Sequence, residues 1–439
     1  MPPSEKNKLG LWTSTSLVVG NMIGAGVFLI PAALASYGSI SLLGWVFSSV
    51  GAFLLAKVFA NLSKLLPDVT GGPYAYTHHS LGNFTGFLVA WGYYICIICG
   101  IASIAVSFVS ALSTFFPVIV QSSLAAISTA LIAIWFLTWI NTRGIVTSGK
   151  VQLLTTILKL VPLILVAVGG LFFIRLANFH PFNLTGNSTF GAITASASFT
   201  FYAFVGIECA TIPAGSVINP EKTIPRATML GLLVTTVIYI LGSASVMGII
   251  PSHQLQHSVT PYADAAVIMW GPAARYWVSA GMAIAAFGAL NGWTLIQGQV
   301  PYAIAKDKLF PAVFAKKNKQ GVPYVGILVS SVLVSVLMSM NYAKGLVEQF
   351  KFLLLLSLLS VLIPYLFSAV AYIIIRIEKV SLKAAGWLSA IVLFILSFSY
   401  SLWAIAGTGR EAVYLGFLLL MAGIPIYALI IYKNKKDQV

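Results

Sequence analysis

Two charged side chains stand inside apolar runs, where charge is expensive. Glu208 lies in FTFYAFVGIECATIPAG and Lys159 in VQLLTTILKLVPLIL. At mid-membrane depth such a group costs about 2.5–3.5 kcal/mol on insertion scales, and it persists where it faces a bundle interior, a water cavity or a partner. Glu208 therefore reads as a protonatable, hydrogen-bonding group on a solute path, or as a buried carboxylate tying two helices together. Lys159 is too deep to snorkel and needs a carbonyl or carboxylate. It reads as a fixed cation standing where other transporters bind Na⁺, and as a proton-linked group that can itself lose a proton, or as a static helix tie. The other nine acidic residues fall in loops, tails or the ends of apolar runs.

Glycine interrupts two of these runs. The first contains Gly20-Asn21-Met22-Ile23-Gly24-Ala25-Gly26, and the sixth contains Phe204-Val205-Gly206-Ile207-Glu208. Unwound backbone at membrane depth is tolerated only where it lines a cavity or is buried in protein. A half-helix starting after Gly26 would aim its N–H groups at an anion such as a carboxylate. Carbonyls freed around residues 202–205 would receive an ammonium. Two interrupted segments in corresponding positions of two repeats are the sequence signature of a transport site, although glycine also serves plain close packing of helices. Trp293, in GALNGWTLIQGQ, would project its indole into space left by small neighbours, to cover a bound side chain or stack on a guanidinium, or else to face lipid or pack in the core. Tyr93, Tyr202, Ser357 and Tyr365 add polar tips at mid-span.

The elements that must carry these residues follow from composition. Of 439 residues, 59% are hydrophobic and 8% charged, with a mean hydropathy of +0.95. Soluble domains carry roughly 25% charged residues, so an ordinary cytosolic enzyme is excluded. Continuous rather than alternating apolar runs argue against a membrane barrel. The expected fold class is an all-α polytopic membrane protein. Twelve runs are long enough to cross about 30 Å of hydrocarbon: 11–35, 40–64, 82–112, 123–141, 150–174, 190–213, 227–250, 274–304, 323–341, 350–375, 385–406 and 411–432.

Charge then sets orientation. With the N-terminus inside, nineteen of the 25 basic residues fall on inner loops and tails, Lys6 and Lys383 among them. Five (Arg175, Arg275, Lys344, Lys351 and Arg410) fall outside, and Lys159 lies within a span. That asymmetry explains the net charge of +15 without nucleic acid and places both termini in the cytoplasm. The three cysteines sit in apolar segments, and the five histidines show no ligand spacing, so no metal or cofactor is expected. A membrane-embedded enzyme would need a nucleophile–base pair or clustered carboxylates inside the spans, which one internal carboxylate does not supply.

GNMIGAGVFLIPAALA (20–35), GGPYAY (71–76), FYAFVGIE (201–208), NPEKTIPRAT (219–228), NGWTLIQGQ (291–299) and IPYL (363–366) resemble the amino acid–polyamine–organocation superfamily. Within it, the chain is similar to the bacterial basic amino acid/polyamine antiporters over essentially its whole length. The resemblance implies a single transmembrane domain with a 5+5 inverted repeat, about 9–175 and 188–376, followed by two further helices at 385–432. It also implies alternating access in a bacterial inner membrane, an amino acid or amine as substrate, and a dimer as a common assembly. Carried over residue by residue, the backbone of Ile23, Gly24, Ala25 and Gly26 would take the substrate carboxylate. The carbonyls of Tyr202, Ala203 and Val205 would take its amino group. Trp293, Cys96, Ile97, Ile101 and Ser357 would surround the side chain, while Tyr93, Glu208 and Tyr365 would form a lid and proton-linked network. Lys159 resembles the fifth-helix lysine of sodium-independent neutral amino acid transporters.

Departures accompany the likeness. The arginine-exchanging pattern has serine in place of Ala25, tryptophan in place of Tyr202 and asparagine in place of Ile101. Position 97 is isoleucine rather than a small polarisable residue. Each change removes polarity from the side-chain pocket, so a cationic and a neutral amino acid both remain open. Proton-coupled symport stands as the alternative to exchange.

Overall fold

With no water in the hydrocarbon core, an apolar chain must satisfy its backbone internally, and helices do so segment by segment. The computed structural model describes residues 8–24, 26–67, 69–143, 145–340, 346–382 and 385–436. Ala25 and the loop charges Lys6, Lys344 and Lys383 lie outside the described residues. In chain order the α-helices are α1 (Leu11–Met22), α2 (Gly26–Ala35), α3 (Ser41–Leu65), α4 (Pro73–Leu112), α5 (Val118–Gln121) and α6 (Ser123–Asn141). There follow α7 (Ile145–Gly169), α8 (Thr189–Tyr202), α9 (Pro220–Ile249), α10 (Ser252–Leu255), α11 (Pro261–Trp270) and α12 (Ala274–Lys306). The last are α13 (Tyr324–Met340), α14 (Leu346–Lys379), α15 (Trp387–Gly407), α16 (Arg410–Met421) and α17 (Gly423–Lys436).

Among the described residues, ten segments are long and apolar enough to cross a membrane, the broken Leu11–Ala35 counted as one. The two other expected spans are shorter as regular helices. The ninth is α13, with 17 residues. The sixth is α8, whose 14 residues stop at Tyr202 because the chain there leaves helical geometry. The third differs at its start. Its helix begins at Pro73 rather than near residue 82, and Gly82, at φ 80° and ψ −176°, kinks it where the apolar run begins.

Packing puts the broken elements at the centre. α4 lies against α12 and α14; α1 lies against α7, α9 and α12; α3 lies against α8 and α9. The breaks are buried inside this bundle, with Ile23 and Phe204 fully enclosed. By contrast, α15, α16 and α17 turn large apolar side chains outward, such as Leu388 and Leu429. That distribution suits lipid rather than water as the solvent.

Candidate functional site

The two breaks meet. α1 ends at Met22, Ile23 follows at φ −76° and ψ 70°, and α2 begins at Gly26. After α8 the chain runs through turns over residues 203–213. Gly206 sits in this stretch at φ 114°, where a side chain is strained. A Cβ there would also stand 3.2 Å from Asn21 Cβ and 3.3 Å from Met22 N, so glycine is needed for conformation and for approach alike.

Unwinding leaves specific backbone groups available. Ile23 N–H donates to Val19 O and Gly24 N–H to Met22 O, both at 2.8 Å. Those two donors are spent. Helix geometry gives the N–H groups of the first turn of α2, from Gly26 onward, no acceptor within that helix. Opposite them, Tyr202 O accepts the Val205 N–H at 3.0 Å and Ala203 O accepts the Tyr239 hydroxyl at 3.0 Å. Among the described residues nothing donates to Val205 O.

Between the breaks lies a small cavity of about 20 Å³. Of the expected substrate-site residues, Gly24, Cys96, Tyr202, Ala203, Val205, Trp293 and Ser357 line it. Ile97 and Ile101 are buried in the core beside it and are not in its wall; Gly100 and Ile104 take that place, joined by Asn21, Met22 and Val27. The Trp293 indole N–H donates to Asn21 O at 3.3 Å, fixing the ring against the first break. Ser357 Oγ donates to Cys96 O at 2.9 Å and stands 3.4 Å from Cys96 Sγ.

Two charged residues flank the cavity. Lys159, fully buried on α7, donates from Nζ to Gly20 O at 2.6 Å and to Ile23 O at 2.5 Å. The ammonium thus holds the carbonyls that the end of α1 leaves without helical partners. Glu208, also fully buried, accepts the Tyr93 hydroxyl on Oε1 and the Tyr365 hydroxyl on Oε2. Gly206 N–H adds a third donor to Oε2 at 3.2 Å. Since α4 supplies Tyr93 and α14 supplies Tyr365, the carboxylate joins the second break to both helices. The expected network of three is therefore a direct contact set. The polar atoms of Asn21 had no signal in the sequence beyond their place in the glycine motif.

The geometry agrees with relationships across the whole chain. A family model described as amino acid permease matches residues 9–433. The chain belongs to the amino acid permease family. A cadaverine/lysine antiporter of Escherichia coli (strain K12) is 34% identical, covering 92% of this chain and 93% of its own. An arginine/agmatine antiporter of Chlamydia pneumoniae is 32% identical, covering 97% and 90%. A putative arginine/ornithine antiporter of Bacillus subtilis (strain 168) is 30% identical, covering 99% of each chain. With its ten helices long and apolar enough to cross a membrane among the described residues, this permease is a multi-pass membrane protein.

Proposed function

We propose that this permease is a sodium-independent amino acid antiporter, exchanging an amino acid for a related amino acid or amine by alternating access. The observation that carries the reading is the contact of the two breaks around one cavity. The N–H groups at the start of α2 face the substrate carboxylate, and Val205 O with its neighbours faces the α-amino group. The relatives, named as antiporters of amino acids and amines, favour exchange over symport. Independence from Na⁺ follows from Lys159, whose ammonium occupies carbonyls that a sodium ion would need.

Alternating access needs two bundles that rock about the site, and the packing supports a 5+5 inverted repeat. α1 lies on α9 as α8 lies on α3; α4 lies on α14 as α12 lies on α7; α7 lies on α1 as α14 lies on α8. Each pair maps onto its mate when the first five spans are exchanged with the second five. The excess of Lys and Arg on one set of loops supports a cytoplasmic position for both termini, and the outward apolar side chains of α15–α17 are compatible with a second copy packing there. A transporter rather than an enzyme fits buried polar groups that converge on substrate ends and not on a reacting bond.

Reconstituted protein tests this. Uptake of labelled amino acid should require a transportable amino acid or amine inside the liposome, and choline should replace Na⁺ without loss. Uptake into empty liposomes driven by a proton gradient would make it a symporter, and strict Na⁺ dependence would remove the role given to Lys159.

A further inference from the structure

Membrane topology requires only that lysines stay on one side of the bilayer; it does not require that they meet. In this fold they do. The end of α12 and the loop after it carry Lys306, Lys308, Lys316, Lys317 and Lys319, all exposed. The end of α17 carries Lys433, Lys435 and Lys436, exposed as well. Asn434 Nδ2 donates to Lys308 O at 2.6 Å, which joins two stretches 126 residues apart in the chain. Lys317 Nζ lies 4.5 Å from the centre of the Tyr302 ring and Lys306 Nζ 5.9 Å from it, so the loop folds back on the end of α12. Phe310 in that loop packs on Phe87 and Tyr94 of α4, and Tyr427 of α17 packs on the same Phe87. The two basic segments thus share one support.

The protein does little to neutralise them. Among the described residues none of these lysines forms an ion pair with a carboxylate. Asp307, the acid within the first segment, accepts the Tyr74 hydroxyl at 2.6 Å and faces His78. Asp437 lies outside the described residues. Like charges gathered in this way repel one another and call for a counter-charge.

The surroundings indicate its source. Just before its lysines, α17 turns Leu429 and Tyr432 outward, 67% and 69% exposed. On a membrane helix such side chains meet acyl chains and the headgroup boundary, and the lysines beyond them stand at the depth of lipid phosphates. A soluble anion would use the charges alone, whereas a phospholipid uses the charges and the apolar face together. Clusters of about four to eight basic residues at the end of a membrane helix attract anionic headgroups.

We propose that the seam between the α12–α13 loop and the end of α17 is a binding site for an anionic phospholipid. Lysines of both segments hold its headgroup, and its acyl chains lie along α17. The site is separate from the substrate cavity and does not depend on the exchange reading.

Native mass spectrometry of the purified full-length protein tests this, by titration in detergent with phosphatidylglycerol or phosphatidylethanolamine of the same acyl chains. Phosphatidylglycerol should bind about tenfold more tightly, and Lys433→Gln with Lys435→Gln should cut that preference by about fivefold. Lys308→Gln with Lys317→Gln, across the seam, should do likewise, and gives the reading if the first pair fails to insert. Lys64→Gln with Lys222→Gln removes equal charge from α3 and α9 and should leave the preference unchanged. Equal binding of the two lipids by the wild-type protein would overturn the proposal. An equal loss from the Lys64 and Lys222 pair would also overturn it, since charge anywhere would then suffice. Glycerophosphate without acyl chains should fail to displace the lipid; displacement at matched concentration would make the site one for a soluble anion and overturn the lipid.

Discussion

Glu208 illustrates how far one residue can be read before its neighbours are known. Its type and depth marked it in the sequence, yet the choice between helix tie and proton-linked group depends on what donates to it. The structure supplies two hydroxyls and an N–H, so an ionised carboxylate is fully engaged. On protonation the acid becomes a donor itself, so one tyrosine hydroxyl must switch from donating to accepting, which changes the tie between the second break and α4 or α14. Glu208→Gln presents an amide NH₂ with two permanent N–H donors on one side and cannot titrate. It is expected to give a folded protein whose exchange rate is flatter with pH than wild type. Retention of the full wild-type pH profile in the Gln variant would locate the pH-sensitive group elsewhere. Lys159 was equally visible as an anomaly, but its acceptors, Gly20 O and Ile23 O, lie some 140 positions away in the chain, and only the fold connects them.

Helix geometry explains what the sequence placed correctly and what it missed. The glycine clusters marked both breaks, because their occurrence in corresponding positions of two runs points beyond the close packing that glycine also serves. The wall contributed by α4 was less readable. Cys96, Gly100 and Ile104 recur every four residues and so share one face, whereas Ile97 and Ile101 are turned about 100° away from it. Without knowing which face of an apolar helix meets the cavity, those two faces look alike in sequence. The early start of α4 was hidden for a similar reason: residues 73–81 are too polar to count as a span, and nothing local required them to be a loop. At the second break, Gly206→Ala should cost about 1–3 kcal/mol, since φ 114° strains any side chain and the added Cβ meets Asn21 and Met22 N. Thermal unfolding in detergent should show that loss. Unchanged stability would mean that the two breaks can part without penalty, contrary to the tight contact described.

For the molecule as a whole, composition alone sufficed for class and approximate span number, because the bilayer allows so few solutions. The relation between its halves was only implied by resemblance, since the two sets of five spans share little beyond their interruptions. The packing pairs give that relation physical content, and they make the meeting point of α1, α2 and α8 the place about which the bundle would rock. The central claim is that substrate sits there. The most direct measurement is a cryo-electron microscopy map of the protein saturated with an amino acid that it exchanges. The account predicts ligand density between the first turn of α2 and Val205 O, with the side chain covered by Trp293. Density confined to another cavity, such as the groove lined by Lys351 and Arg410, with the space between the breaks empty, would contradict it.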